Sequence, residues 1–398
     1  MTANRILCTF GALVWAALAI YLASPLLVPI PAERDPHAID FRMRYNEAAC
    51  VISGKDPFLV WNGTLPRGEY VPWSFSLVKD ADKSNLIHAY PPWEYAWMLP
   101  MTFLRRDVAE RVFWALSWAG LIFLCVSAYV LGYLRSSGIV WIGFASTCSV
   151  LVLNGAIDTC LVYQNYGLLI AAAVLAAVLC HERGHDLWAG IFWAFTLVKP
   201  QLGALFFVPL VIRGKWRTII ISCGITLFGT LVVAALCGRS PIDMILSISK
   251  YSQGQFSETG LVPMPLYLLL VSRVGHSVLM LGSAVIGLLL CVAVNLILRP
   301  EEDAFEWTLP SVFLSTLWTA SRTHDQVIYA VMFIALTLSA CRRRELSTMM
   351  LDLSLIVFTL MRGVDDTLPL PVKVFQVIAL IILFYRAFQI RQARGGRL

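Results

Sequence analysis

Charge is scarce in this sequence: Asp, Glu, Lys and Arg make up 14% of its 398 residues, against 58% apolar. A soluble domain of this length is nearer a quarter charged and half apolar. Strand-like alternation is missing too, which leaves helices as the units able to satisfy their own backbone in lipid. The ten cysteines stand singly, mostly inside apolar runs. No CxxC or Cys/His spacing appears, so they read as small hydrophobes and no metal or other cofactor is called for. A bridge between Cys160 and Cys237 outside the membrane is left open, but nothing demands it. There is no DxD, Gly-rich phosphate loop, Walker motif or GxSxG, so no nucleotide site or serine hydrolase is indicated.

What is present is a succession of long apolar runs. The net charge is +6, yet the basic residues form short clusters between those runs rather than one patch. That is how cytoplasmic loops look under the positive-inside rule, and it speaks against nucleic acid as a partner. The first run, Ile6 to Ile30, is too long for a signal peptide and reads as a retained membrane helix. An outer loop over 31–107 follows, rich in Pro, Gly, Trp and charge as far as Tyr90. It ends in YPPWEYAWMLPMTFL, Tyr90 to Leu104, which is short for a crossing and reads as an interfacial or re-entrant helix.

Further runs lie near 108–134, 139–155, 166–181, 187–198, 200–212, 217–237, 276–298, 307–321, 326–341, 346–361 and 371–388. The expected fold is an all-α polytopic membrane protein with about 12 transmembrane helices, one integral domain over 1–398, and both termini cytoplasmic. The runs 187–198 and 200–212 are short and suggest a hairpin with VKPQ at its outer tip; 238–275 forms a second outer segment containing a half-helix, Leu261 to Leu270. Cytoplasmic segments then carry Arg135, Arg183, Arg213, Lys215, Arg217, Arg299, Arg342, Arg343 and Arg344. Arg386, Arg391, Arg394 and Arg397 complete the basic bias, with 389–398 as the tail.

Polar residues at membrane depth are functional candidates by default, and the topology puts four groups of them outside. Asp40 precedes an apolar-spaced helix (Phe41, Tyr45, Ala48, Ala49, Ile52) that ends before Gly54. It reads either as that helix's N-cap or as a general base. Lys199, at the hairpin tip, either snorkels to the interface or meets an anion. Gln164 and Asn165 open the helix at 166–181, with Asn165 as a cap or both as hydrogen-bonding groups for a sugar or phosphate. In SRTHD, Arg322 and His324 suit phosphate recognition, and Asp325 is placed to orient His324.

In order along the chain, D-F-x-x-x-Y-x-x-A-A-x-x-x-x-G-x-D-P-F (Asp40 to Phe58), Y-P-P (Tyr90 to Pro92), Q-N-Y-G-L-L (Gln164 to Leu169), V-K-P-Q-L (Val198 to Leu202), R-G-K-W-R (Arg213 to Arg217) and the His324 segment resemble glycosyltransferase family 87. These are multi-pass enzymes of the GT-C superfamily, similar to mycobacterial polyprenol-phosphate-mannose mannosyltransferases. The resemblance implies a hexose donor, with mannose the expected sugar, on polyprenyl phosphate. It implies a glycolipid or glycan acceptor, and inverting chemistry on the outer face of the cytoplasmic membrane, towards periplasm or cell exterior. It makes Asp40 the catalytic base and puts Lys199 and His324 near the donor phosphate; Arg322 is added from position. Gln164, Asn165, Tyr45, Tyr90 and Asp325 are then the expected substrate-binding residues. A superfamily enzyme using another lipid-linked sugar such as arabinofuranose, a lipid or sugar transporter or flippase, and a non-catalytic assembly subunit are the competing readings. Against a transporter stand the absence of an internal repeat and charges at the face rather than the midplane.

Overall fold

A computed structural model describes residues 39–61, 90–135, 155–247, 276–298, 303–315, 323–332, 334–336 and 370–395. The expected first helix, the loop over 62–89, the runs at 139–154 and 346–361 and the half-helix at 261–270 lie outside the described residues.

All regular structure among the described residues is helical. In chain order the helices are α1 (Ile39–Ile52), α2 (Pro57–Trp61), α3 (Pro92–Thr102), α4 (Arg106–Arg135), α5 (Gly155–Tyr163), α6 (Gly167–Glu182) and α7 (Asp186–Thr196). Then come α8 (Pro200–Ile212), which includes a 3-10 turn, α9 (Trp216–Leu236), α10 (His276–Ile297), α11 (Ala304–Ser315) and α12 (Leu370–Gly395). Among the described residues, two stretches, Arg106–Ala128 of α4 and Trp216–Leu236, are long and apolar enough to cross a membrane. α9 exposes Ile220, Leu227, Phe228 and Leu231, as a lipid-facing surface would.

The core forms around α6, which is apolar on every side and buried over most of its surface, with Leu169, Ala172, Ala176 and Leu179 partly accessible. Leu168, Ala171, Val174, Leu175 and Val178 are all inaccessible. α4 packs on one flank of α6 and α7 on the other, and α9 backs α7 and α3. α3, preceded by Pro91 and opened by Pro92, runs 11 residues, too short to span at ~20 residues per crossing.

The structure departs from the sequence reading in several places. α1 begins at Ile39, so Asp40 sits inside its first turn rather than in front of it. α1 also buries its polar side: Arg44, Asn46 and Glu47 are at most 5% exposed, because Arg44 and Glu47 neutralise each other at 2.6 Å. Finally, Arg386 is no tail charge. It lies within α12, which runs on to Gly395, and makes a two-pronged ion pair with Glu306 of α11 at 2.7 and 3.2 Å. α11 starts at Ala304, ahead of the expected 307, because Asp303 accepts the Phe305 N–H and Glu182 that of Ala304.

Candidate active site

The loop between α5 and α6 is three residues long, Gln164 to Tyr166, and reverses the chain by placing Gln164 at φ +51°. That left-handed backbone is uncommon for a residue with a side chain and costs on the order of 1–3 kcal/mol. Its effect is to aim Asn165 inward. The Asn165 backbone N–H returns to the Cys160 carbonyl, and its Oδ1 accepts the Gly167 N–H at the start of α6.

Asn165 is a helix-capping group and more. Its Nδ2 donates to Asp40 Oδ2 at 2.6 Å, and its Oδ1 accepts from Lys199 Nζ at 2.6 Å. Lys199 in turn donates to Asp325 Oδ1 at 2.6 Å. One line of hydrogen bonds thus joins Asp40, Asn165, Lys199 and Asp325. Asp40 Oδ1 and the third ammonium proton of Lys199 take no partner among the described residues. Asp40 is half-buried, whereas Lys199 is only 2% exposed. This rules out snorkelling: the ammonium is held inside by a carboxylate and an amide.

The tip that carries Lys199 is held from two sides. Pro200 opens α8 directly after Lys199, a position where its missing N–H costs nothing. Gly203 lets α8 fold back on α7, since a Cβ there would come 2.5 Å from the Thr196 carbonyl oxygen. From α3, the Trp93 indole N–H donates to the Leu197 carbonyl at 2.8 Å. The tip is therefore built rigidly into the core.

Tyr90 lies between two cations. The Arg44 guanidinium is 4.2 Å from its ring centroid and the Lys199 ammonium 5.9 Å, both within reach of a cation–π attraction. Tyr90 also stacks towards Tyr166 at 6.1 Å. The Tyr166 hydroxyl donates to Glu94 Oε1 at 2.7 Å. Burial pushes the Glu94 carboxyl up to about 8, against the opposing charge of Arg44. The physical reason is that Arg44 is already neutralised by Glu47, which leaves Glu94 without a counter-charge of its own.

Of the residues marked in the sequence, the structure brings together Asp40, Asn165, Lys199, Asp325 and Tyr90. Asp325 faces Lys199, where it had been expected to orient His324. His324 belongs to a 3-10 turn, Thr323–Ile328, but its side chain lies outside the described residues, as does Arg322. Gln164 is 5% exposed, and its amide oxygen has no partner among the described residues. Tyr45 is fully buried and its hydroxyl donates to the Leu104 carbonyl at 2.8 Å. No bridge joins Cys160 and Cys237: Cys160 is inaccessible and Cys237 donates to the Lys55 carbonyl.

Arg44, Glu94 and Tyr166 were missed. The signal for Arg44 was its place four residues after Asp40, one turn along the same helix face. Glu94 follows directly on YPPW, and Tyr166 follows Gln164 and Asn165.

Residues 88–322 match the model of glycosyltransferase family 87, well over half of the chain. No curated protein and no solved structure matches the chain significantly.

Proposed function

Because the chain belongs to glycosyltransferase family 87, and is thus a membrane glycosyltransferase, we propose that it moves a hexose, mannose in our reading, from a polyprenyl-phosphate donor. The acceptor is a hydroxyl of a glycolipid or glycan at the outer face of the cytoplasmic membrane. The basic bias of the loops, read with both termini inside, supports that face. The observation that carries the reading is the single amide of Asn165, bonded at 2.6 Å to Asp40 on one side and at 2.6 Å to Lys199 on the other. A carboxylate and a buried cation are thereby fixed on either side of one spacer.

Inverting transfer needs those two groups. Asp40, through the oxygen that Asn165 leaves open, takes the proton of the acceptor hydroxyl as that oxygen attacks the anomeric carbon. The bond from that carbon to the phosphate oxygen breaks, and its electron pair leaves with the polyprenyl phosphate. Lys199, through its undonated proton, meets the developing charge, which makes a general acid unnecessary. One base suffices for this chemistry, where a glycosidase uses a pair of carboxyls, since the other carboxylate of the line, Asp325, is taken up by Lys199. His324 and Arg322 join Lys199 at the phosphate in this reading. Gln164, Asn165, Tyr90 and Asp325 surround the sugar in this reading, and Gln164 brings an amide oxygen without a partner among the described residues; Tyr45, buried and with its hydroxyl donated to Leu104, serves the packing of the helix that carries Asp40.

The test is Asp40→Asn in membranes supplied with polyprenyl-phosphate hexose. Transfer should be lost while donor binding persists. Transfer at near wild-type rate would overturn the base assignment, and a wild-type protein that neither binds nor consumes such donors would overturn the donor class.

A further inference from the structure

The half-helix α3 holds, through two consecutive residues, both segments that meet in the Asn165–Lys199 hydrogen bond. Pro91 and Pro92 fix where α3 starts, so Trp93 and Glu94 both lie in its first turn. The Trp93 indole N–H donates at 2.8 Å to the carbonyl of Leu197, two residues before Lys199. Glu94 Oε1 accepts at 2.7 Å from the hydroxyl of Tyr166, the residue after Asn165. The partners are distant in sequence, 104 residues from Trp93 to Leu197 and 72 from Glu94 to Tyr166. One short helix thus refers two separate parts of the chain to a common frame.

That frame is firm. α3 packs against both α1 and α9, and Gly229 of α9 lets it come close: a Cβ there would lie 3.1 Å from the Ala96 Cβ and 3.4 Å from the Trp93 Cβ. Glu94 is fully inaccessible, and its Oε2 has no hydrogen-bond partner among the described residues. A carboxyl kept in such a place costs more than an apolar side chain of similar size, so its one hydrogen bond, to Tyr166, has a use beyond packing. We propose that Trp93 and Glu94 are positioning residues for the transfer. Together they set the Lys199 ammonium against the Asn165 amide, and through that amide they set Asp40, which it holds at 2.6 Å. The proposal rests on the reading of Asp40 and Lys199 as base and phosphate-facing cation.

The test uses the full-length protein in liposomes supplied with polyprenyl-phosphate hexose. Glu94→Leu and Tyr166→Phe should each lower kcat about tenfold, part of the loss that misplacement by about 1 Å brings, with donor KM changed less than about twofold. The double variant should lose no more than either alone, because both remove the same hydrogen bond. Glu94→Gln keeps an acceptor for Tyr166 and should restore transfer to near the wild-type rate. In Glu94→Leu and Tyr166→Phe the acid limb of the pH–rate profile should move up by about one pH unit. The loosened Asn165 donates less well to Asp40, and a carboxylate with a weaker donor keeps its proton to higher pH. Trp93→Phe acts on the side of Lys199, so it should lower kcat about tenfold and leave that limb in place. A role in folding alone would change the amount of active protein and move no limb. An unmoved limb in the Glu94 and Tyr166 variants, or additive losses in the double variant, overturns the proposal.

A second measurement needs no donor and so separates this proposal from the donor reading. Lys199 is 2% exposed, and its acylation by acetic anhydride, read by mass spectrometry, should be slow in the wild type and in Glu94→Gln. In Tyr166→Phe and Trp93→Phe, which serve if Glu94→Leu fails to fold, it should rise about fivefold, the factor for one hydrogen bond of ordinary worth. Lys215, just ahead of α9, is the control and should not change. Faster labelling of Lys199 in a protein whose wild type transfers no sugar upholds the positioning role and sinks the donor reading. Lys199 labelling unchanged in both variants, or matched by an equal rise at Lys215, overturns the positioning role and leaves the donor reading to the transfer assay.

Discussion

The Lys199 ammonium lies 2.6 Å from the Asp325 carboxylate and 2.6 Å from the Asn165 amide oxygen, in a position 2% exposed to solvent. A charge so placed survives only because it is paired, and removing its partner leaves it uncompensated. Lys199→Met should lower kcat by about 10²–10³-fold, the scale for losing one preorganised group at a developing charge. Asp325→Asn should separate two effects. The donor phosphate meets a less neutralised cation, so KM falls, while the looser ammonium lowers kcat. Steady-state kinetics with varied donor checks both; an unchanged KM in Asp325→Asn would show that the phosphate does not sense Lys199.

Asn165 sets the spacing between base and cation. Replacing it with Leu keeps the branched shape but removes all three side-chain hydrogen bonds, to Asp40, Lys199 and the Gly167 N–H, which frees Asp40 to turn and leaves Lys199 on Asp325 alone. Misplacing a reacting group by about 1 Å costs on the order of 10²-fold in rate. Asn165→Leu should therefore lower kcat by about that factor. Asn165→Asp should lower it further, because it sets a second carboxylate against Asp40. Rates of transfer for the two variants, with folding verified by thermal melts, decide the point.

The helix framework was legible where lipid dictates length. The apolar runs at 108–134, 166–181 and 217–237 became α4, α6 and α9 with ends shifted by only one or two residues. Lys199 stood out for the same reason, as a lone charge among apolar neighbours. Its partners did not, because the pairing spans 34 residues to Asn165 and 126 to Asp325, and local spacing carries no trace of such contacts. Arg44 was passed over and Arg386 misplaced for a related reason. A charge near an apolar run reads as solvated until the structure supplies Glu47 or Glu306 to neutralise it.

Glu94 makes stability depend on pH in an unusual direction. Its carboxyl is raised from 4.5 to about 8 by burial, so the folded protein holds a proton there that the unfolded chain has released. Stability from this group is fully present below about pH 4.5 and is lost as pH rises through about 8. Glu94→Gln keeps an acceptor for the Tyr166 hydroxyl but cannot ionise. Its thermal midpoint in detergent should fall less than that of the wild type between neutral and alkaline pH. Parallel curves for the two proteins would place the proton elsewhere.

The Arg386–Glu306 pair tests how α12 is fixed to the rest. Both side chains are almost inaccessible, at 2% and 4% exposure, and face each other at 2.7 Å. Breaking one side of a buried pair typically costs about 3–5 kcal/mol, because the survivor keeps its charge in a poor solvent; replacing both with apolar groups of similar volume is often neutral. Arg386→Met and Glu306→Leu should each destabilise strongly, and the double substitution should recover most of that loss. A denaturation series in detergent measures all four proteins. Additive losses would mean that the two charges have other counter-charges in the membrane-embedded protein, whereas recovery identifies the pair as the contact that seats α12 against α11.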